Sequence, residues 1–391
     1  MKGAEWQLPS FFQARQDASH DSQGKNKQTD ARSRSQLLVL VFFGMMATGF
    51  LTAQYLYIWA QQPDGAADLS TPAAAQKVAM LDKQKASSQP QAKAKSSGAL
   101  HDLLTQVAPQ KEGRPKEVMI AISNYNLWPL RALPLWVKSV KQAKVSNYLV
   151  VAIDTALRDQ LEKEGIPVYY RDVKVDKAQE GTGDNHAISA LKFKIIQEFL
   201  ELGWNVLLSD VDVVVVQDPF DHLYRDHDVE GMSDGFDDAT AYGHGNGIDD
   251  QSMGWSRYAQ GTTHLNLNSG FFYLQANERT ISLMERIAAR LAKEKAWDQS
   301  VYNEEMFFLS HGSYSSAQVT VRAMDIMVFM NSKVLFRTVR YLPPAKQRKP
   351  AVVHINYHPD KLERAQAAYK YFVEGDRGAL KDFPGGSEPG S

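Results

Sequence analysis

Leu37–Ala60 (LLVLVFFGMMATGFLTAQYLYIWA) carries no charged side chain, and this run divides the chain more sharply than any other feature. As a helix rising about 1.5 Å per residue it reaches roughly 36 Å, enough for a hydrocarbon core of about 30 Å. Tyr55, Tyr57 and Trp59 gather at its far end, where amphipathic rings favour the membrane interface. Lys25, Lys27, Arg32 and Arg34 precede it, whereas the first charges beyond it are Asp64 and Asp68. Basic flanks stay cytosolic. The expectation is a cytosolic tail over residues 1–36, a transmembrane signal anchor over 37–60, and type II topology with the remainder luminal. A cleaved signal peptide would be shorter and begin nearer the N-terminus.

Residues 61–115 are rich in Ala, Gln, Ser and Lys and hold no aromatic residue. Such a stretch buries too little apolar surface to offset ordering, so it is expected to be a luminal stem, with transient helix over Ala73–Lys85. Aromatics return after Lys116, and residues 116–385 are expected to form the folded domain. Its opening alternates between apolar runs and amphipathic stretches. Glu117–Ser123, Tyr148–Asp154, Pro167–Tyr170 and Asn205–Val216 read as strands, with helices at Pro134–Ala143, Thr155–Glu164 and Ala187–Leu202 between them. That alternation predicts an α/β fold with a mostly parallel central sheet and helices on both faces. A formal net charge of −1 excludes a whole-chain nucleic-acid binder, which needs a basic excess. The absence of cysteine removes disulfides, thiolate zinc sites and thiol nucleophiles.

The fourth predicted strand carries the most informative run, VLLSDVDVVVVQDPF. On a strand, Asp210 and Asp212 leave the same face. Two adjacent carboxylates repel, and one would stay protonated without a partner. A hard divalent cation such as Mn²⁺ or Mg²⁺ resolves the conflict, because it prefers oxygen ligands and is commonly shared with phosphates. The end of a strand also suits the ligand crevice at the carboxyl edge of such sheets. No phosphate loop or zinc-protease motif competes, and Gly243, Gly245 and Gly247 read as a flexible loop. His354 and His358 lie in an extended segment, from which one His is placed to complete the metal shell.

Three further segments suit polar work. In Leu267–Leu274, Asn268 and Ser269 precede Gly270, where backbone would approach a ligand or turn into a strand. Trp297–Glu305 gathers Asp298, Gln299, Asn303, Glu304 and Glu305; if helical, Asp298 shares a face with Tyr302, and Gln299 with Asn303. Lys192 lies on the helix before the acidic pair and reads equally as a diphosphate partner or a surface charge.

The runs NHAISALKFKIIQEFL, LLSDVDVVVVQDPF, LYRDHDVEGMSDG, SMGWSRYA, NSGFFYL, AWDQSVYNEE, FMNSKVLF and VVHINYHPDKLER follow one another between Asn185 and Arg364, within a resemblance that spans roughly Glu117–Ser387. In that order they resemble the plant and green-algal "reduced residual arabinose" arabinosyltransferases. These belong to the retaining nucleotide-sugar glycosyltransferase family that also holds rhamnogalacturonan xylosyltransferases. The resemblance implies a GT-A-like, Rossmann-type domain binding a UDP-sugar. It implies Asp210 and Asp212 holding Mn²⁺ or Mg²⁺, His354 as third ligand, and Lys361 and Lys192 against the diphosphate. Asn268, Gly270, Asp298 and Gln299 would line the sugar and acceptor pocket, and Asn124 and Asp154 the uridine. The implied reaction moves L-arabinofuranose to arabinosides on hydroxyproline-rich cell-wall glycoproteins, in the Golgi, with room for complexes with other Golgi transferases. Val215 stands where relatives often carry an aromatic, and the loop Gly243–Gln251 also departs from the plant pattern, so donor choice is less constrained than reaction class.

Retention needs a carboxylate nucleophile, for which Asp298 and Glu304 are candidates, or attack from the leaving-group face, which is the favoured reading. Transfer of xylose or galactose to a cell-wall glycan is the alternative within the same chemistry. A non-catalytic, glycan-binding Golgi membrane protein is the alternative of another class. It would dispense with Asp210, Asp212, Asp298 and Gln299, all of which are present.

Overall fold

The computed structural model describes residues 90–180, 184–242, 245–247, 260–262, 266–307 and 316–385, which fall in one compact unit. The expected tail, anchor and first part of the stem lie outside the described residues, as do Gly243 and the SMGWSRYA run. Among the described residues no helix is long and apolar enough to cross a membrane.

The central sheet has seven strands in the order β10-β6-β9-β4-β1-β2-β3. These are β1 (Glu117–Ser123), β2 (Tyr148–Ala152), β3 (Val168–Tyr170), β4 (Asn205–Ser209), β6 (Val229–Ser233), β9 (Leu267–Leu274) and β10 (Val321–Ala323). Strands β3, β2, β1 and β4 are mutually parallel, and β9 runs antiparallel to both β4 and β6. The expected parallel α/β architecture is therefore present. After β3 the chain crosses back to lay β4 on the other side of β1, which makes a switch point where the carboxyl ends of β1 and β4 diverge. Open sheets bind ligands at such a crevice.

Helices α1 (Pro90–Val107), α2 (Ala132–Gln142), α3 (Thr155–Lys163) and α4 (Asp184–Glu201) belong to this half. The first two strands are followed by polar residues that turn the chain at the sheet edge. Asp154 caps α3, its Oδ1 accepting from Leu157 N at 2.7 Å, and Gly203, at φ 82°, lets α4 stop and β4 begin. The later helices are α5 (Asp238–Tyr242), α6 (Glu278–Leu291), α7 (Asp298–Phe307) and α8 (Lys361–Tyr369). One face of the sheet packs Phe193, Ile196 and Phe199 of α4 with Leu283 and Ile287 of α6, and the other packs Leu133, Trp136 and Val140 of α2.

The run expected as one strand over Asn205–Val216 is two. β4 ends at Ser209, the chain turns at Val211 and Asp212, and β5 (Val213–Val215) enters a second sheet of order β11-β12-β5. There β12 (Val352–His354) lies antiparallel to β5 and parallel to β11 (Phe329–Asn331). The break has a local cause. Trp136 Nε1 donates to Ser209 Oγ at 2.9 Å and Val215 N donates to Ser139 Oγ at 3.1 Å, so α2 grips the chain on both sides of the turn. Two smaller expectations are also corrected. Gly245–Gly247 forms a short strand, β7, paired antiparallel with β8 (Gln260–Thr262), and Leu267–Leu274 is strand throughout, wedged between two neighbours.

The stem expectation to residue 115 also needs correction at its C-terminal end. Leu100, Leu104 and Ala108 are buried in the core cluster with Trp204, whose Nε1 donates to Ala108 O at 3.1 Å. The stretch holds no aromatic, yet the leucines at positions 100 and 104 lie one helical turn apart and find the aromatic surface of Trp204 supplied from elsewhere. Leu104→Ala is expected to lower unfolding stability by about 2–5 kcal/mol, the cost of a buried leucine cavity. Chemical denaturation of the full-length protein checks this, and an unchanged midpoint would return α1 to the stem.

Candidate active site and metal centre

Asp210, Asp212 and His354 offer three ligand atoms within 4.8 Å of one another. Their convergence follows from the break in the fourth strand rather than from strand alternation. Asp210 closes the central sheet, donating its N–H to Gly270 O at 2.7 Å, and Asp212 opens the second sheet, its carbonyl accepting from Ile355 N at 2.9 Å. His354 is the register partner of Val213, so the antiparallel pairing carries its ring back beside the two acids. Gly270 on β9 is the floor: a Cβ there would stand 2.4 Å from Asp210 Oδ2 and 2.7 Å from His354 Cε1.

His354 Nε2 lies 3.1 Å from Asp212 Oδ1, yet that carboxylate oxygen accepts no hydrogen bond. A buried carboxylate oxygen facing an imidazole nitrogen at this distance suits a cation held by both. Two carboxylates and one imidazole form a donor set for Mn²⁺ and Mg²⁺, so the residues fit the expected ion. Burial, partly offset by Lys192 and reinforced by Asp212, pushes Asp210 up to about 6. Burial acts the same way on Asp212, but His354 and Lys361 outweigh it and hold that carboxyl well below its usual range. Burial opposes charge on His354 too, and Asp212 overcomes it, so the imidazole keeps its proton above its ordinary range. Lys361, the first residue of α8, places Nζ 2.7 Å from Asp212 Oδ2.

The other expected residues divide into those that join this centre and those that do not. Lys192 is buried, but its ammonium is 2.7 Å from Asp298 Oδ2 and therefore already has its counter-charge. Asp298 also accepts from Ser269 Oγ at 2.9 Å; burial opposes its charge, and Lys192 and Ser269 hold its carboxyl below the usual range. Gln299 accepts from Ser269 N at 3.3 Å and donates Nε2 to Asp234 Oδ2 at 2.6 Å. Asn268 Nδ2 donates to Asp234 Oδ1 at 2.8 Å, and its own oxygen accepts from Gly270 N at 2.7 Å. Glu304 does not share this cluster: it pairs with Arg290 of α6 at 2.7 Å. Asn124 and Asp154 do sit at the carboxyl ends of β1 and β2, where Asp154 Oδ2 accepts from Tyr125 N at 2.7 Å and ties the two loops together.

Asp234, at the end of β6, is the residue the sequence reading missed. Amides of Asn268, Gln299 and Asn356 all donate to its carboxylate, the last at 3.2 Å, and Tyr357 Oη donates to its carbonyl at 3.1 Å. Asp234 directly follows β6 as Asp210 directly follows β4.

A switch-point crevice, a corner whose donors fit a divalent cation and a ring of polar side chains suit a nucleotide-sugar site. The family model for nucleotide-diphospho-sugar transferases matches residues 143–365, spanning every metal-ligand candidate. The chain belongs to that family. Arabinosyltransferase RRA2 of Arabidopsis thaliana is 48% identical over 276 residues, covering 70% of this chain and 64% of the relative. Arabinosyltransferase RRA1 of the same plant is 44% identical over 275 residues, covering 70% and 67%. The chain thus spans about two thirds or less of the length of these relatives. Among solved structures, the galactosyltransferase LgtC in complex with donor and acceptor sugar analogs is 16% identical. It covers 68% of this chain and 97% of its own, with a TM-score of 0.42.

Two outcomes follow from the geometry. Gly270→Ala is expected to weaken Mn²⁺ binding at least about tenfold while the protein stays folded, because the new methyl displaces a ligand carboxylate; calorimetric Mn²⁺ titration alongside circular dichroism tests this. Binding the ion requires Asp210 ionised and His354 neutral, and both groups hold protons above their ordinary ranges. Affinity should therefore rise with pH, with release of protons, and fall about tenfold or more for each unit below about pH 6. A flat profile between about pH 5 and about pH 8 would remove these residues from the ligand set.

Proposed function

We propose that the protein is a cation-dependent retaining glycosyltransferase that moves L-arabinofuranose from UDP-arabinofuranose to arabinosides on hydroxyproline-rich glycoproteins. The observation that carries the reaction class is the Asp210–Asp212–His354 corner at the switch point of a nucleotide-binding sheet. Family membership and the two arabinosyltransferase relatives support the sugar. The charge-free run at Leu37–Ala60 and its basic flank support a Golgi anchor with the domain luminal.

Asp210, Asp212 and His354 would hold Mn²⁺ or Mg²⁺, and the ion supplies charge neutralisation at the diphosphate. The loops after β1 and β2, tied by Asp154, form the nucleoside end of the crevice. Asn268, Gln299 and Asp234 orient the sugar through a hydrogen-bonded frame that is already assembled, so little reorganisation accompanies the reaction. Asp298 is paired with Lys192 and Ser269, and Glu304 with Arg290. Neither carboxylate is poised to attack a sugar carbon, which supports attack from the leaving-group face. The C1–oxygen bond breaks with its electron pair left on the phosphate, the acceptor oxygen bonds C1, and its proton passes to a phosphate oxygen.

The test follows UDP release by the full-length protein with Mn²⁺ and UDP-arabinofuranose, UDP-xylose, UDP-galactose or UDP-glucose, with and without an arabinosylated hydroxyproline peptide. Peptide-stimulated release is expected from the arabinofuranose donor, with Asp212→Asn reducing it at least about hundredfold. Preference for another donor would replace the sugar, and undiminished turnover in Asp212→Asn would overturn the cation's role. A trapped glycosyl–enzyme adduct would overturn same-face attack.

A further inference from the structure

The residues expected to neutralise the donor diphosphate are largely engaged elsewhere. Lys192 is paired with Asp298, and Lys361 with Asp212. A divalent ion between Asp210 and Asp212 is itself largely balanced by those acids. A nucleoside diphosphate bound as a sugar ester carries two negative charges, and it gains a further one as the glycosidic bond breaks. The corner needs another cation, and it must lie on the side from which the phosphates reach the metal.

The second sheet supplies one. β11 and β12 are parallel and in register, with Asn331 opposite His354. Both strands therefore leave the sheet at the same edge as the metal ligand. Two residues beyond Asn331 comes Lys333, and three beyond His354 comes Tyr357. The two exits are stapled together: Ser332 Oγ donates to Asn356 O, and Ser332 N donates to Asn356 Oδ1 at 3.3 Å. Lys333 Nζ stands 4.1 Å from the centre of the Tyr357 ring, and among the described residues no carboxylate pairs with it. Tyr357 sits at φ 68°, a left-handed backbone region that a residue with a side chain rarely adopts. Its hydroxyl is anchored on Asp234, and the ring remains partly exposed. The arrangement holds a half-buried ammonium against an aromatic face at the sheet edge from which His354 also emerges, with no carboxylate paired to it among the described residues. Arg364 does not share the task, since Asp360 binds it at 2.8 Å. His358 adds no charge, because burial and then Arg364 lower it to about 4.

We infer that Lys333, positioned by Tyr357, is a diphosphate-binding cation of this site and takes the role that the sequence suggested for Lys192. This rests on the nucleotide-sugar reading above. In that reading the electron pair of the breaking C1–oxygen bond remains on the distal phosphate. Lys333 meets the growing charge there, and its contact with the Tyr357 ring holds the side chain in place.

The experiment titrates UDP into the full-length, Mn²⁺-loaded protein by calorimetry. Mn²⁺ affinity is measured separately in the absence of nucleotide. Lys333→Met is expected to weaken UDP binding about tenfold or more and leave Mn²⁺ affinity unchanged. Lys333→Arg should restore most of the loss, and Tyr357→Leu should show part of it. Wild-type UDP affinity in Lys333→Met overturns the assignment and leaves the transferase reading intact. Equal loss of Mn²⁺ affinity, or failure of Lys333→Arg to recover, would mark a structural role and overturn it as well. If the wild-type protein binds no UDP in the presence of Mn²⁺, the nucleotide-sugar reading fails, and this assignment with it.

Discussion

The hydrogen bond from Asp210 N to Gly270 O is the last contact by which the central sheet holds the chain before it turns into the second sheet. Both candidate metal-ligand acids depend on it. Upstream, β4 is clamped between β1 and β9; downstream, β5 is clamped against β12; and α2 grips Ser209 and Val215 on either side. The turn is therefore over-determined, and Asp210 and Asp212 are delivered to the gap between two sheets rather than to the face of one. A side chain at position 270 would fill that gap, which accounts for glycine at this point of the strand.

Around the corner the charges are distributed with little redundancy. Lys192 and Asp298 form a buried pair in which loss of either member would leave an uncompensated charge. The Asp234 carboxylate is bound by neutral amides of Asn268, Gln299 and Asn356, which orient it without cancelling its charge. These two devices differ in effect. The first stiffens the junction of α4, α7 and β9, while the second keeps a negative group available at the rim of the crevice. On the proposed function, a site assembled in this manner would present fixed dipoles to a reacting sugar, the condition under which electrostatic stabilisation is largest.

Much of the fold was legible because buried parallel strands read as short apolar runs and the helices between them end at recognisable caps and glycines. The expected strands at Glu117–Ser123 and Tyr148–Asp154 match the observed ones closely, as do the first helices. Misreadings arose where local pattern and tertiary contact disagree. The apolar run through Val216 is periodic enough for one long strand, yet its two halves pair with different partners. The Ala- and Lys-rich stretch before residue 108 has stem-like composition, yet Leu100 and Leu104 pack in the core with a tryptophan contributed by residue 204. The Gly245–Gly247 segment pairs despite a composition typical of loops.

The sequence alone determined the chemistry that could be attempted. It carried the acidic pair, a histidine in an extended segment to complete the set, the Asn-Ser-Gly and Asp-Gln motifs, and the α/β alternation that places strand ends at a crevice. Those are properties of residue type and short-range period. Only the tertiary structure decided which groups face one another. It assigned Lys192 to Asp298, moved Glu304 to Arg290, brought forward Asp234, and set Lys333 beside Tyr357 through the register of β11 and β12. The physical reason is that an ion pair or a hydrogen bond is set within a few ångströms, whereas its partners here are separated by tens to more than a hundred residues along the chain. No periodicity in the sequence encodes that distance.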